Sequence, residues 1–321
     1  MTKTFTIGTR GSLLALTQTN VVKQQLESLA RQEKKDIVFH IQTIKTKGDQ
    51  IVDKPLWMID GKDFFTKELD DSLGRRDIDL VVHSYKDLGR ERPDFCSLAA
   101  ITQRTFPHDI LLLTKETKEK ILRGEKKQLS VGTSSPRRTY LLQKNLALFL
   151  PHFEGEVQCS NLRGNVNSRL EKLRNGQYDA IVLAMAGIHR LSLQEASLKE
   201  LTLLLKDLDF MLLPLTYFPG AAAQGALAIE MHREGDPELK DLLQKIHHLP
   251  TANEVALERA SFDKYGGGCH LAVGLTAQKA GENTILIERG INSNKEEISE
   301  QEISPSLSTI ENLLKKHQAI F

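Results

Sequence analysis

Five places in this 321-residue chain gather side chains suited to holding anions. They are Thr9-Arg10-Gly11-Ser12, His83-Ser84-Tyr85-Lys86-Asp87, Gly132-Thr133-Ser134-Ser135-Pro136-Arg137-Arg138, Arg163-Gly164-Asn165 with Arg169 behind it, and Arg190. Hydroxyls and turn amides donate single hydrogen bonds to an oxyanion, and a guanidinium grips a carboxylate or phosphate with two parallel ones. Taken singly, each of the six arginines reads as well as a solvated residue in a scattered surface salt bridge. Taken together, they point to a polyanionic ligand. Neither G-x-x-x-x-G-K-[ST] nor G-x-G-x-x-G occurs at these turns, so a phosphate ligand is the weaker reading.

Asp87 is the carboxylate set among these cations. In such company it stays ionised near neutral pH, able to stabilise a positive centre or exchange a proton with an amine. A loop aspartate paired with Lys86 is the plainer reading of the same position. Cys269 closes the run Gly266-Gly267-Gly268, which lets a bulky group approach the backbone and leaves the thiol accessible. A buried cysteine in a glycine-rich turn is the commoner outcome of that pattern. Cys96 and Cys159 read as core or near-surface thiols. No metal site is expected, since the histidines show no metal-binding spacing, and His247-His248 is placed at a helix end.

In open α/β sheets, ligands sit beyond the carboxyl ends of strands and on helix N-termini, so these residues need that kind of support. The pattern supplies it. Thr4 to Thr9 reads as a strand, and Ser12 caps a helix to about Gln32 with Leu13, Leu16, Leu26 and Leu29 on one face. Ile37, Phe39 and Ile41 alternate as a half-buried strand. A helix from about Phe64 to Leu73 leads to a central strand at Ile78 to Val82. A strand follows near Asp109 to Leu113, then a helix near Glu116 to Leu122 and a strand at Leu129 to Gly132. Pro136 stands at the first position of a helix capped by Ser135. A helix from about Val166 to Leu173 and the turn Asn175-Gly176 come next, and the apolar run Ala180 to Ile188 reads as a buried strand and turn. Pro219-Gly220 reads as a hinge. After about Thr251 come a helix, the glycine-rich loop, two strands and a last helix from about Leu307, with Asn292 to Glu302 as a polar surface loop.

This alternation implies an α/β architecture of mixed, mostly parallel sheets. Lys plus Arg number 43 against 42 acids, which excludes a protein that coats nucleic acid or membranes by its net field. The odd count of three cysteines argues against a disulfide framework and for a reducing cytoplasm. Arg10 interrupts any signal-peptide pattern, and no apolar run reaches the length of a membrane span.

The ordered set I-G-T-R-G-S-L-L-A-L-T-Q, G-K-D-F-F-T-K-E-L, D-L-V-V-H-S-Y-K-D-L, V-G-T-S-S-P-R-R, L-R-G-N-V-N-S-R-L, D-A-I-V-L-A-M-A-G-I-H-R-L, A-Q-G-A-L-A-I-E and G-G-C resembles the hydroxymethylbilane synthase (porphobilinogen deaminase) family from about Phe5 to Gly274. The resemblance implies a three-domain transferase that joins four porphobilinogen molecules head to tail, loses ammonia and releases hydroxymethylbilane. The first two domains would form a two-lobed pair like a periplasmic binding protein, from residues 1–102 plus about 217–245 and from 103–216. The third, a small α+β domain over 246–321, would carry a dipyrromethane cofactor on Cys269 through a thioether. By the same resemblance Asp87 is the essential aspartate. Lys86, Asp87, Thr133, Ser134, Arg137, Arg138 and Arg163 contact the cofactor, and Arg10, Ser12, Arg169 and Arg190 the substrate. A monomer with porphobilinogen as its small-molecule partner, and neither nucleic acid nor membrane, is implied.

The chain departs from the family at Asp63, Leu88-Gly89, His108, Ala223 and Ala272, which bears on loop geometry, hinge flexibility and turnover rate. A non-catalytic anion-binding protein on the same scaffold, or an impaired paralogue, is the alternative. A covalent pyrrole adduct on the purified chain separates the first from an enzyme, and turnover of porphobilinogen separates the second.

Overall fold

The computed structural model describes residues 2–46, 66–268, 270–281 and 283–304. The chain begins with β1 (Lys3–Arg10), α1 (Leu13–Gln32), β2 (Ile37–Ile44), α2 (Lys67–Gly74), β3 (Leu80–Ser84) and β4 (Cys96–Ile101). It crosses to β5 (Asp109–Thr114), α3 (Lys115–Leu122), β6 (Gln128–Gly132), α4 (Pro136–Asn145), β7 (Glu156–Ser160), α5 (Val166–Arg174), β8 (Ala180–Ala184), α6 (Met185–Ser192), α7 (Glu195–Leu205) and β9 (Leu208–Leu212). It then returns through β10 (Leu227–His232) and α8 (Pro237–Ile246), and ends with α9 (Leu249–Lys264), β11 (Ala272–Ala280), β12 (Asn283–Ile291) and β13 (Glu297–Ser304).

The strands make three sheets, ordered β2-β1-β3-β10-β4, β7-β6-β8-β5-β9 and β11-β12-β13. Both five-stranded sheets are mixed. In each, two neighbouring pairs run parallel and two antiparallel, because one strand enters from the opposite side. In the first it is β10, the return strand. In the second it is β5, the entry strand. Each sheet is covered on both faces. Val22, Leu26, Leu239 and Leu242 of α1 and α8 pack on Ile7, Leu80 and Ile229 on one side of the first sheet, and Leu69 and Leu73 of α2 pack on Val81 on the other. Around the second, Leu141 and Leu142 of α4 lie on one face, and Leu170, Leu173, Leu191 and Leu201 of α5 to α7 on the other. The outcome is two α/β lobes and a small α+β unit.

Several local expectations are met in detail. Ser12 caps α1 by accepting from the Ala15 amide at 3.2 Å, and Ser135 caps α4 by accepting from the Arg138 amide at 3.4 Å. His247 and His248 occupy the junction of α8 and α9, where His248 caps α9. Others need correction. The buried side of α1 runs through Gln18, Thr19, Val22, Leu26 and Ala30, while Leu13 is exposed near the first turn. The run Ala180 to Ile188 is a strand followed by helix α6, not a strand and turn. Gly187 lies inside that helix, where a β-carbon would make ordinary contacts of 3.8 Å with Leu14 of α1 and Val166 of α5. Most of the expected loop over Asn292 to Glu302 is strand β13, paired along its length with β12. The expected helix after Leu307 and the cleft loop with Asp63 lie outside the described residues. Among the described residues, no helix is long and apolar enough to cross a membrane.

Candidate active site

The parallel halves of the two sheets set the stage. β1 and β3 are parallel neighbours, so Arg10 at the end of one and the Tyr85–Asp87 turn after the other emerge at the same edge. Gln18 on α1 exchanges hydrogen bonds with Ser84 at 2.9 and 3.0 Å, tying the helix to the start of that turn. In the second lobe β6 and β8 are parallel, and Thr133, Ser134 and the N-terminus of α4 follow the end of β6.

The two arginines in the first turn of α4 share one counter-ion that the sequence did not single out. Arg138 donates through Nε and NH2 to Asp109 at 3.1 and 2.8 Å, and through NH1 to the Val182 carbonyl at 3.1 Å. Arg137 places NH1 2.8 Å from Asp109 and 2.8 Å from the Pro219 carbonyl. Gln224 donates to the same carboxylate at 2.9 Å. Burial alone would raise the Asp109 carboxyl, but the two guanidiniums override it and hold it well below the usual range. Two cations against one anion leave this buried cluster with a surplus positive charge.

Lys86 faces that cluster from the other lobe. The residue is exposed as a whole, yet protein surrounds its ammonium, and this desolvation pushes its pKa down. Asp87 and Asp109 oppose the shift, while Arg138 and Arg137 reinforce it. Arg169 is pushed down to about 10 by burial first, then by Arg138 and Arg163. Lys86, Asp87, Arg137, Arg138, Arg163 and Arg169 therefore sense one another across a single cleft. Arg190 stands apart: it is buried in α6 and donates to the Gly225 carbonyl at 2.6 Å, and burial alone brings it to about 10.

The hydroxyls are more committed than the sequence implied. Ser12 holds its helix cap. Ser134 donates to the Leu162 carbonyl at 2.7 Å, accepts from the Leu162 amide at 3.1 Å and bonds Asn161, so it fixes the loop before Arg163. Thr133 is buried and accepts from the Ser135 amide at 3.2 Å.

Cys269 lies outside the described residues, but both of its flanks are placed. Gly266, Gly267 and Gly268 all have positive φ, at 92°, 60° and 110°, a path that favours glycine at each step. Just before them on α9, Arg259 donates to the Tyr85 and Leu88 carbonyls at 3.3 and 3.0 Å and to Gly89 at 3.3 Å, with its guanidinium 4.7 Å above the Tyr85 ring. Just after them, a β-carbon on Gly274 would fall 3.2 Å from Cδ of Arg137. The glycine loop is thus bracketed by the turn bearing Asp87 and by the arginine pair. Arg259 and Asp109 are the two residues that sequence reasoning missed here. The only signal of either was position, since Asp109 begins a strand at the crossing between lobes.

Cys96 is buried and Cys159 half-buried. Cys96 lies with Asp70 and Glu230 in a buried group whose ligand atoms are within 4.8 Å of one another. Both carboxylates there already hold the Arg92 guanidinium, which is the cation of that site.

Comparison with known proteins agrees with this geometry. Residues 5–241 match the family described as porphobilinogen deaminase, dipyromethane cofactor binding domain. The chain is 37% identical over 283 residues to the porphobilinogen deaminase of a Nitratiruptor species, covering 88% of this chain and 81% of that one. It is 38% identical over 275 residues to that of Gloeobacter violaceus, covering 86% and 76%. Among solved structures, the probable amino-acid ABC transporter extracellular-binding protein ytmK of Bacillus subtilis aligns with a TM-score of 0.40 and 14% identity over 77% of this chain and 90% of that one. At that distance the two-lobed architecture rests on the sheets themselves. The matched domain spans most of the chain and both relatives exceed a third identity, so the chain belongs to the porphobilinogen deaminase family.

Proposed function

We propose that the chain is a hydroxymethylbilane synthase, joining four porphobilinogen molecules head to tail with loss of ammonia for tetrapyrrole biosynthesis. The observation that carries the reading is the linked group of cations in one cleft, in which Lys86 senses Asp87, Arg138 and Arg137, and Arg169 senses Arg138 and Arg163. Each pyrrole of this chemistry bears an acetate and a propionate, so a lengthening chain is a polycarboxylate. A cleft with surplus guanidinium charge fits it and fits a dipyrromethane equally. That group, joined through a thioether to Cys269, would supply the primer to which each unit is added.

Lys86, Thr133, Ser134, Arg137, Arg138 and Arg163 are assigned to hold the primer's carboxylates and rings. Arg10, Ser12, Arg169 and Arg190 are assigned to the incoming substrate. Arg138, with three donors already on Asp109 and Val182, acts largely by fixing the pair's orientation. Asp87 is exposed and is assigned to the reacting ring. Its carboxylate stabilises the positive charge that develops as ammonia leaves the aminomethyl carbon, and again the charge on the coupled ring before that ring loses its proton.

The reading extends to organisation. Residues 1–102 with about 217–245 form the first domain, 103–216 the second and 246–321 the third, a division supported by the membership of the three sheets. The enzyme acts as a cytoplasmic monomer, without nucleic acid or membrane. Asp87→Asn is expected to fold normally and lose elongation, and near-normal turnover of porphobilinogen by that variant would sink the assignment. The intact mass of the purified chain should exceed its sequence mass by two linked pyrrole units, and Cys269→Ser should lose that increment.

A further inference from the structure

The turn that carries Asp87 has a second neighbour. A cavity of about 180 Å³ is walled by Tyr85, Leu88 and Gly89 but by neither Lys86 nor Asp87. Four guanidiniums line it, those of Arg90, Arg92, Arg233 and Arg259, against the carboxylates of Asp94 and Glu230. Arg92 is shared between Glu230, through bonds of 2.8 and 2.7 Å, and Asp70, which leaves it no free charge. Arg259 has backbone carbonyls as its hydrogen-bond acceptors and no carboxylate among the described residues. Arg90 lies 3.5 Å from Asp263, and Arg233 has neither an ion pair nor a side-chain hydrogen bond among the described residues. Arg233 and Arg259 are therefore the two guanidiniums of the cavity that no carboxylate among the described residues pairs with. Its remaining wall is apolar, from Leu88, Pro93 and Leu98, with the buried Cys96 thiol beside it.

We propose that this cavity is a second anion site, distinct from the cleft, that takes a small organic acid with an apolar body. A guanidinium pair grips a carboxylate, and the leucine and proline surface covers a ring or short chain. The volume is below the roughly 300–1,000 Å³ of pockets for larger ligands, which limits the occupant to about one ring. Occupancy reaches the cleft through Arg259. The same guanidinium that lines the cavity holds the carbonyls of Tyr85, Leu88 and Gly89, so a carboxylate that draws it away loosens the turn under Lys86 and Asp87. The inference does not depend on the polymerisation reading, because its test is a binding test.

Cys96 supplies the readout. Burial first, then Glu230 and Asp70, push its thiol up to about 12, so labelling is slow and is followed at pH 9 with a small methanethiosulfonate. Peptide mass spectrometry separates it from Cys159 and Cys269. Benzoate at about twice its dissociation constant should slow labelling of Cys96 about threefold and leave Cys159 unchanged. Arg233→Glu should abolish that protection while turnover without benzoate stays as in the parent. Absence of protection, or equal protection in Arg233→Glu, would overturn the site. Inorganic phosphate protecting as well as benzoate would overturn the organic acid as its ligand. Where Cys96 resists the reagent altogether, calorimetric titration of benzoate decides: an isotherm lost in Arg233→Glu supports the site, and identical isotherms overturn it.

Discussion

Each lobe buries a cluster of charge under its strand ends, and the two clusters balance that charge in opposite ways. In the second lobe Arg137 and Arg138 surround the single carboxylate of Asp109, leaving one positive charge over, and the excess faces Lys86 across the cleft. In the first lobe Asp70 and Glu230 surround the single guanidinium of Arg92, with His83 Nε2 3.0 Å from Glu230, and no surplus cation remains. The contrast separates a cluster built to receive an anion from one built to hold a sheet together. An unbalanced buried charge is expensive unless something completes it: the surplus carboxylate of the first lobe faces His83, and the surplus cation of the second is where an anion is expected.

The largest effect should come from removing the lone acid of the second cluster. Asp109→Asn keeps the shape and leaves two buried arginines without a counter-ion, a change that costs roughly 3–5 kcal/mol. Urea unfolding should show that loss together with loss of turnover. A cost below about 1 kcal/mol would mean that the arginines are held by Val182, Pro219 and the cleft water instead, and the comparison would fail.

Reversing the logic in the first lobe gives the next effect, and here pH reads it. Burial would raise the Glu230 carboxyl, but His83 and Arg92 bring it down to about 2 from an ordinary 4.5. A carboxylate depressed on folding contributes stability that is present above its unfolded value and is lost as pH falls through the folded one, so this contribution fades between about pH 4.5 and 2. Asp70 is raised, mainly by burial, and acts in the opposite sense. In Arg92→Met both acids lose their cation. The variant should be less stable by roughly 3 kcal/mol at pH 8 and should recover as pH falls toward 5, where the acids take up protons. From pH 8 to 5 the parent's Glu230 contribution is therefore flat, whereas the variant gains stability. Parallel slopes in thermal melts from pH 8 to 5 would show that Arg92 is not the charge that completes the site.

How much of this was legible in the sequence follows from the range of each interaction. The caps at Ser12 and Ser135, Pro136 at a first helical position and the strand-end arginines are local patterns, and each stands where its neighbours require. Asp109 was invisible as a partner because its arginines lie about thirty residues away and meet it only after β5 enters the sheet antiparallel to β8. β13 was read as a loop because Glu297–Ser304 carries few apolar residues; pairing with β12, not propensity, makes it a strand. In α6 an apolar run and an internal glycine imitate a strand and turn. The helix is apolar because its buried residues Ala186, Ile188 and Leu191 face neighbouring helices, and nothing in the structure requires the glycine. Long-range pairing and packing between helices are what a one-dimensional pattern omits.

The smallest predicted effect is the sharpest on what the arginine cluster is for. Ser135 caps α4 at the cleft, and Thr114 caps α3 in the same lobe by accepting from the Thr117 amide at 3.2 Å. Because Asp109 pairs with Ala184 and β5 runs antiparallel to β8, Thr114 sits at the opposite end of the sheet from the cleft. Replacing either cap with alanine costs about 1 kcal/mol, so urea unfolding should not distinguish Ser135→Ala from Thr114→Ala. Their kinetics should differ. The Ser135 hydroxyl accepts from the amide of Arg138 itself, so its loss frees the first turn that aims both arginines, and KM for porphobilinogen should rise a few-fold with kcat nearly unchanged. Thr114→Ala should leave KM where it was. Equal KM values in the two variants would mean that Asp109 alone orients the guanidiniums and that the helix N-terminus adds nothing to carboxylate binding.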